Sequence, residues 1–165
     1  STTKSLKNIH LYNNKGTIKR YNTIYDIFDE YYITRYSLYV KRKKHQLECL
    51  KYELDVHNSK LRFIEDVIDE KIIVFRKKRD IIIENLKDLE YPMIIDKKIV
   101  TDYNVENIKS GFNYLIQIPL YHLSEEKIVE LETIIKDLQN RYDELNLKTI
   151  EEIWSDELKL LKKEL

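Results

Sequence analysis

LECLKYELDVHNSKLRFIEDVI, residues 47–68, carries apolar or packable residues at Leu47, Leu50, Leu54, His57, Leu61, Ile64 and Ile68, in steps of 3, 4, 3, 4, 3 and 4. Such spacing lays them along one narrow stripe of an α-helix, wide enough for a single partner helix. Upstream, the apolar residues Ile24, Ile27, Phe28, Tyr31 and Leu38 continue the helical pattern, and no Gly or Pro occurs from residue 17 to residue 91. Thr23 with Asp26 three residues later reads as an N-cap, because a side-chain oxygen there takes an otherwise orphaned backbone N–H. The spacing therefore predicts one helix from about residue 24 to 68, a rod on the order of 65 Å long.

A matching stripe lies near the other end of the chain. Ser124 followed by Glu125 and Glu126 is a helix start, with two acids on the positive end of the dipole. Ile128, Leu131, Ile135, Leu138, Tyr142 and Leu145 then step 3, 4, 3, 4 and 3, and Thr149 with Glu152 opens a last helix bearing Ile150, Ile153, Trp154, Leu158 and Leu161. Charge distinguishes the two ends. Residues 1–52 hold eleven Lys/Arg against four acids, and residues 123–165 hold seven against twelve, so the ends carry +7 and −5. Two matching stripes of opposite charge pack best as an antiparallel pair.

Residues 71–122 follow neither pattern. KIIVF (71–75) and the run after Pro92 are short and β-branched, Asp80–Leu89 reads as a short helix, and GFNYLIQIPLYHL (111–123) is dense in apolar side chains. A helix-to-helix connection usually takes ~2–8 residues, so this stretch is expected to be a knob with its own core. NIHLYNNKGTIKRY (8–21) pairs alternating residues with NNKG turn chemistry and reads as a β-hairpin, marginal alone and thus part of a larger sheet. The fold class is mainly α: a long antiparallel coiled-coil stalk, a small mostly helical domain at its tip and a short N-terminal hairpin. The segments are 1–21 (hairpin), 22–70 (outgoing helix), 71–122 (knob) and 123–165 (returning helices).

Lys+Arg and Asp+Glu are equal at 29 each, so net charge gives no reason to expect a polyanionic partner. The single cysteine, Cys49, forms no intrachain disulfide and reads as a small half-buried residue beside Leu50, or else as a reactive thiol. No run approaches the ~18 apolar residues of a membrane span, so no membrane association is expected. The chain opens at Ser1 without a methionine and in mid-pattern, as a piece of a larger protein would. His10, His45, His57 and His122 show no metal-ligand spacing with each other or with Cys49, and His57 is expected to pack in the seam. Phosphate-loop, dinucleotide-binding, nucleophile-elbow and zinc-protease motifs are missing. No catalytic, cofactor-binding or metal residue is assigned.

Lys41, Arg42, Lys43 and Lys44 interrupt the long helix with a basic block. Either their stems cover the seam while the charged heads reach water, or the block faces phosphates and binds in a salt-dependent way.

In order along the chain, these segments resemble the type IIA DNA topoisomerases of eukaryotic and viral type, where the DNA-gate region ends and the coiled coil begins. The resemblance rests on Arg35 and Tyr39, Lys41-Arg42-Lys43, Glu53-Leu54, and Asn58 with Arg62-Phe63-Ile64. Downstream, FNYLIQIPLYHLSEEKIVEL (112–131) is similar to the family's aromatic segment, with Ile118, Tyr121 and Ser124 standing where it has Met, Trp and Thr. IEEIWSDEL (150–158) is similar to its D-L-W-x-E-D-L. The family's enzymes pass one duplex through a transient double-strand break in another, using ATP, and release it at an exit gate. The resemblance implies that this chain is the stalk and exit gate, with no ATP or Mg2+ site of its own and both in the parent enzyme. It implies a basic patch of Arg35, Lys41, Arg42, Lys43 and Lys44 facing double-stranded DNA weakly and without sequence preference. It also implies a homodimer through Phe112, Tyr114, Leu115, Ile118, Pro119, Leu120 and Tyr121, an apolar set larger than a small knob hides. Arg35-Tyr36 looks like the family's catalytic Arg-Tyr pair but lacks its flanking residues, and is read as a decoy.

Two other classes stay open: a free-standing coiled-coil adaptor and a small basic-helix nucleic-acid binder. Heavy use of Lys, Ile, Asn and Tyr with no Ala fits an A+T-rich genome, and the knob is short for a cellular eukaryotic member. A large DNA virus, acting at viral replication sites in the host cytoplasm, is the expected setting, with the nucleus as the alternative.

Overall fold

The computed structural model describes residues 9–101 and 104–164, and for Val105, Glu106, Lys109 and Leu120 the backbone alone. Strands β1 (Ile9–Tyr12) and β2 (Ile18–Tyr21) precede the 45-residue helix α1 (Ile24–Ile68). Helix α2 (Arg79–Asp88), strands β3 (Met93–Ile95) and β4 (Lys98–Val100), and helices α3 (Val105–Gly111) and α4 (Asn113–Ile116) follow. A 3-10 turn at Leu120–His122 leads to α5 (Glu125–Leu147) and α6 (Ile150–Glu164). The chain divides into two compact units, one of residues 1–46 with 147–165 and one of residues 47–146.

In the first unit, β1 and β2 form the expected antiparallel hairpin, with Ile9 opposite Tyr21 and Tyr12 opposite Ile18. It is held to α1 through Glu30, which accepts from Lys19 Nζ at 2.8 Å and from the Tyr21 hydroxyl at 3.1 Å. The start of α1 is a reciprocal capping box: Thr23 Oγ1 accepts from the Asp26 amide, and Asp26 Oδ2 accepts from the Thr23 amide. Thr149 and Glu152 build the same device at α6. Each removes two orphaned backbone donors. α6 packs on α1 through Trp154, whose ring stacks on Tyr32 at 5.3 Å and on Tyr39 at 5.2 Å. Ile24, Phe28, Tyr31 and Leu38, part of the helical pattern upstream of the basic block, are exposed.

The second unit has two buried clusters. Leu50 and Leu54 of α1 meet Leu138 of α5, flanked by Ile135 and Tyr142. Further along α1, Ile64 shares a cavity of about 440 Å³ with Leu131, nearer the start of α5, so these stretches run antiparallel. Burying one such leucine is worth roughly 1.5–3 kcal/mol. The larger cluster joins Phe63 of α1, Ile82 and Leu86 of α2, Met93 of β3, and Phe112 and Leu115 around α4. Strands β3 and β4 pair as a small hairpin, Met93 opposite Val100. Gly111 lets α3 approach it: an added Cβ would lie 2.7 Å from Met93 Cβ. Tyr91, 1% exposed, donates its hydroxyl to Asp66 Oδ2 at 2.7 Å.

The chain is mainly helical with a small N-terminal hairpin, and it departs locally from the expected elements. Residues 71–78 form no strand, and the short helix begins at Arg79 rather than Asp80. Ile72 is nevertheless buried, its amide donating to the Asp66 carbonyl at 2.9 Å.

Candidate functional site

Of the residues assigned to the basic patch, Arg35, Arg42 and Lys43 meet α6, the turn before it or a neighbouring ring. Arg35 is half-buried with its guanidinium 5.0 Å from the Tyr39 ring centre. Arg42 lies 4.3 Å from the centre of the same ring and forms an ion pair with Glu157. The Tyr39 hydroxyl donates to the same carboxylate at 2.5 Å. That bond and the Arg42 guanidinium hold the Glu157 carboxyl below the usual carboxylate range. Lys43 donates to the Lys148 carbonyl at 2.6 Å. Lys41 and Lys44 are exposed. The block is thus partly a docking device for α6.

The apolar set assigned to a dimer contact divides. Phe112 and Leu115 are both 0% exposed and belong to the knob's own core, so they are unavailable to a second chain. Tyr114 is half-buried, its hydroxyl donating to the Pro92 carbonyl at 2.9 Å, and burial pushes its phenol up to about 12. Ile118 packs against the core, while Pro119 is exposed and Tyr121 is 76% exposed. The side chain of Leu120 lies outside the described residues.

Along the seam, Leu50, Leu54, Ile64, Leu131 and Leu138 are buried, whereas Leu47, Leu61, Ile128, Ile135 and Tyr142 are half-buried. Ile68, the last residue of α1, is 43% exposed. His57 is half-buried in the 440 Å³ cavity, its Nδ1–H donating to the Glu53 carbonyl at 2.7 Å. Cys49 is exposed rather than half-buried, one position off the seam. Among the described residues no group of three or more His, Cys, Asp or Glu could hold a metal ion, and no helix is long and apolar enough to cross a membrane.

Sequence reasoning passes over a second basic run, Arg76-Lys77-Lys78-Arg79, all exposed in the second unit. Its signal is plain: four consecutive cations, as dense as the block at 41–44.

Residues 1–159 match the family of DNA gyrase/topoisomerase IV A subunits. The chain belongs to this family. Among the relatives of this DNA gyrase/topoisomerase IV family member, DNA topoisomerase 2 of Acanthamoeba polyphaga mimivirus is 35% identical over 158 residues, covering 93% of the chain and 12% of that protein. DNA topoisomerase 2 of Saccharomyces cerevisiae is 25% identical over 190 residues, covering 94% of the chain and 13% of that protein. The chain therefore spans a small part of these relatives' length. It also superposes on the crystal structure of the Plasmodium falciparum topoisomerase II DNA-binding, cleavage and re-ligation domain, with TM-score 0.83 and 24% identity, over 98% of this chain and 24% of that one.

In a chain of the gyrase/topoisomerase IV family, adjacent Arg35 and Tyr36 invite a nucleophile reading. The Tyr36 hydroxyl donates to Glu151 Oε1 at 3.0 Å, and that bond raises the phenol's pKa above its ordinary value. Tyr36 is better described as an anchor for α6.

Proposed function

We propose that this chain is the stalk and exit gate of a type IIA DNA topoisomerase, an enzyme that changes DNA topology by ATP-dependent passage of one duplex through a transient double-strand break. In this reading α1 and α5 form a two-way coiled-coil stalk, and the knob of residues 71–122 is the gate. Two copies meet there as a homodimer and part to release the transported duplex. The observation that carries the reading is the antiparallel pairing of Leu50 and Leu54 with Leu138 and of Ile64 with Leu131, running into a core that leaves Pro119 and Tyr121 outside. The family match along nearly the whole chain supports it.

Chemistry is divided accordingly. ATP, Mg2+ and the strand-cutting tyrosine belong to other parts of the parent enzyme. This chain supplies a gate contact and weak, sequence-blind attraction for duplex phosphates from Lys41 and Lys44 with Arg35, Arg42 and Lys43. Likeness to the mimivirus protein supports viral replication sites in the host cytoplasm as the place of action.

Sedimentation velocity on the 165-residue chain tests the gate. At concentrations on the order of 10–100 µM, where a modest reversible interface populates, the expected result is a monomer–dimer equilibrium weakened about tenfold by Tyr121→Glu. A chain that stays monomeric throughout that range overturns the proposal.

A further inference from the structure

The geometry points to the turn at residues 76–78 as a phosphate-contact site for duplex DNA in the second unit, separate from the block at 41–44. This assignment rests on the DNA reading given above.

The turn is pinned from both sides. Before it, Ile72 is buried and Val74 packs on the knob's core; after it, Ile82 and Ile83 of α2 are buried in the same cluster. Between these anchors the chain turns outward at Arg76, whose φ of 57° lies in the left-handed region. A bulky residue is held there at a cost, which a well-packed frame on both sides sustains. The flanking cations are already committed. Lys71 pairs with Asp66 at 3.3 Å and Asp69 at 3.0 Å, and the Arg79 guanidinium donates to Asn113 Oδ1. Among the described residues no hydrogen bond or ion pair holds the side chains of Arg76, Lys77 or Lys78, and all three are exposed.

The chemistry of the occupant follows. Three adjacent residues reach over at most ~10 Å, and duplex DNA presents about six phosphate charges along that length, so each cation can find its own phosphate. Exposed Phe75 and Ile73 stand beside them without a polar group arranged to read a base edge. The contact is therefore to backbone and blind to sequence. Compared with Arg42, which α6 engages, and Lys43, which the Lys148 carbonyl holds, this turn offers its charge at no loss of an internal partner.

Salt-dependent binding of the 165-residue chain to a fluorescein-labelled duplex of mixed sequence, read by anisotropy, tests the assignment. Each lost phosphate contact lowers the slope of log K against log salt by about 0.9, so the triple variant Arg76→Gln/Lys77→Gln/Lys78→Gln should lose about 2.7 from the slope. Between about 50 and about 200 mM salt, the wild-type chain should then lose roughly 40-fold more affinity than the variant. Lys97→Gln/Lys98→Gln, removing charge at the β3–β4 turn, should leave the slope nearly unchanged. An unchanged slope in the triple variant, or an equal loss in the β3–β4 control, overturns the site while leaving the DNA reading intact. A wild-type chain that binds no duplex at low salt overturns both. Matching thermal unfolding of the three proteins shows that the substitutions act on binding.

Discussion

Replacing Tyr91 by Phe keeps the ring, its edge-on contact with Phe63 and the Arg62 guanidinium 4.4 Å above it, and deletes one O–H. That O–H is donated at 2.7 Å to Asp66, which is 8% exposed and keeps Lys71 at 3.3 Å and Arg62 at 3.7 Å. A hydrogen bond to a charged group contributes ≈1.5–3 kcal/mol, and the two remaining cations soften the loss, so Tyr91→Phe should destabilise by about 2 kcal/mol. Urea titrations followed by circular dichroism measure this by linear extrapolation. pH supplies a second, sharper arm. Burial and the Asp66 bond hold the Tyr91 phenol above its ordinary value. A group whose pKa is raised on folding contributes stability that is present below its unfolded pKa and is lost as pH rises past it. By about pH 11 ionisation of the unfolded tyrosine favours unfolding by roughly 1.4 kcal/mol, so the gap between wild type and variant should shrink from about 2 to about 0.6 kcal/mol. Tyr114 is present in both proteins and cancels. A variant as stable as wild type near pH 8, or a gap that stays constant into alkali, refutes the argument.

Leu54→Ala, which opens a hole between α1 and α5, should cost about 2–5 kcal/mol in the same urea assay, whereas an alanine at exposed Lys51 should cost within about 0.5 kcal/mol. Gly111→Ala places a Cβ 2.7 Å from Met93 Cβ, backbone-anchored on both sides, and should destabilise by about 1–3 kcal/mol despite alanine's better helix propensity; a stabilised variant would show that α3 does not sit this close to β3. Because Glu157 is held below the usual carboxylate range, the stability it contributes is present above its unfolded pKa and is lost as pH falls through the folded one. Glu157→Gln should therefore flatten the acid limb of a pH-dependent melt, and an unchanged limb would remove Glu157 from the docking of α6.

What can be read from the residues is local or periodic. Thr23 with Asp26 and Thr149 with Glu152 announce helix starts because their partners lie three residues away, and both capping boxes form. The 3-4 spacing finds the stripe that buries Leu50, Leu54 and Leu138. Apolar density alone does not say whether a side chain meets its own core or a second chain, which is why Phe112 and Leu115 read as a contact surface and lie inside. The β3–β4 turn hides for another reason. It runs through Asp96 and Lys97 at φ 47° and 60°, without the Gly that usually marks two successive left-handed residues. Arg42 reads as a phosphate ligand because its partner, Glu157, lies 115 positions away and no local pattern connects them.

Trp154 is the chain's single tryptophan, and its indole stacks on both Tyr32 and Tyr39. Excited at the red edge of its absorption, it is a built-in optical probe that needs no label. Its emission reports one event, the seating or lifting of the last helix against the start of the long one, and is silent about the rest of the molecule.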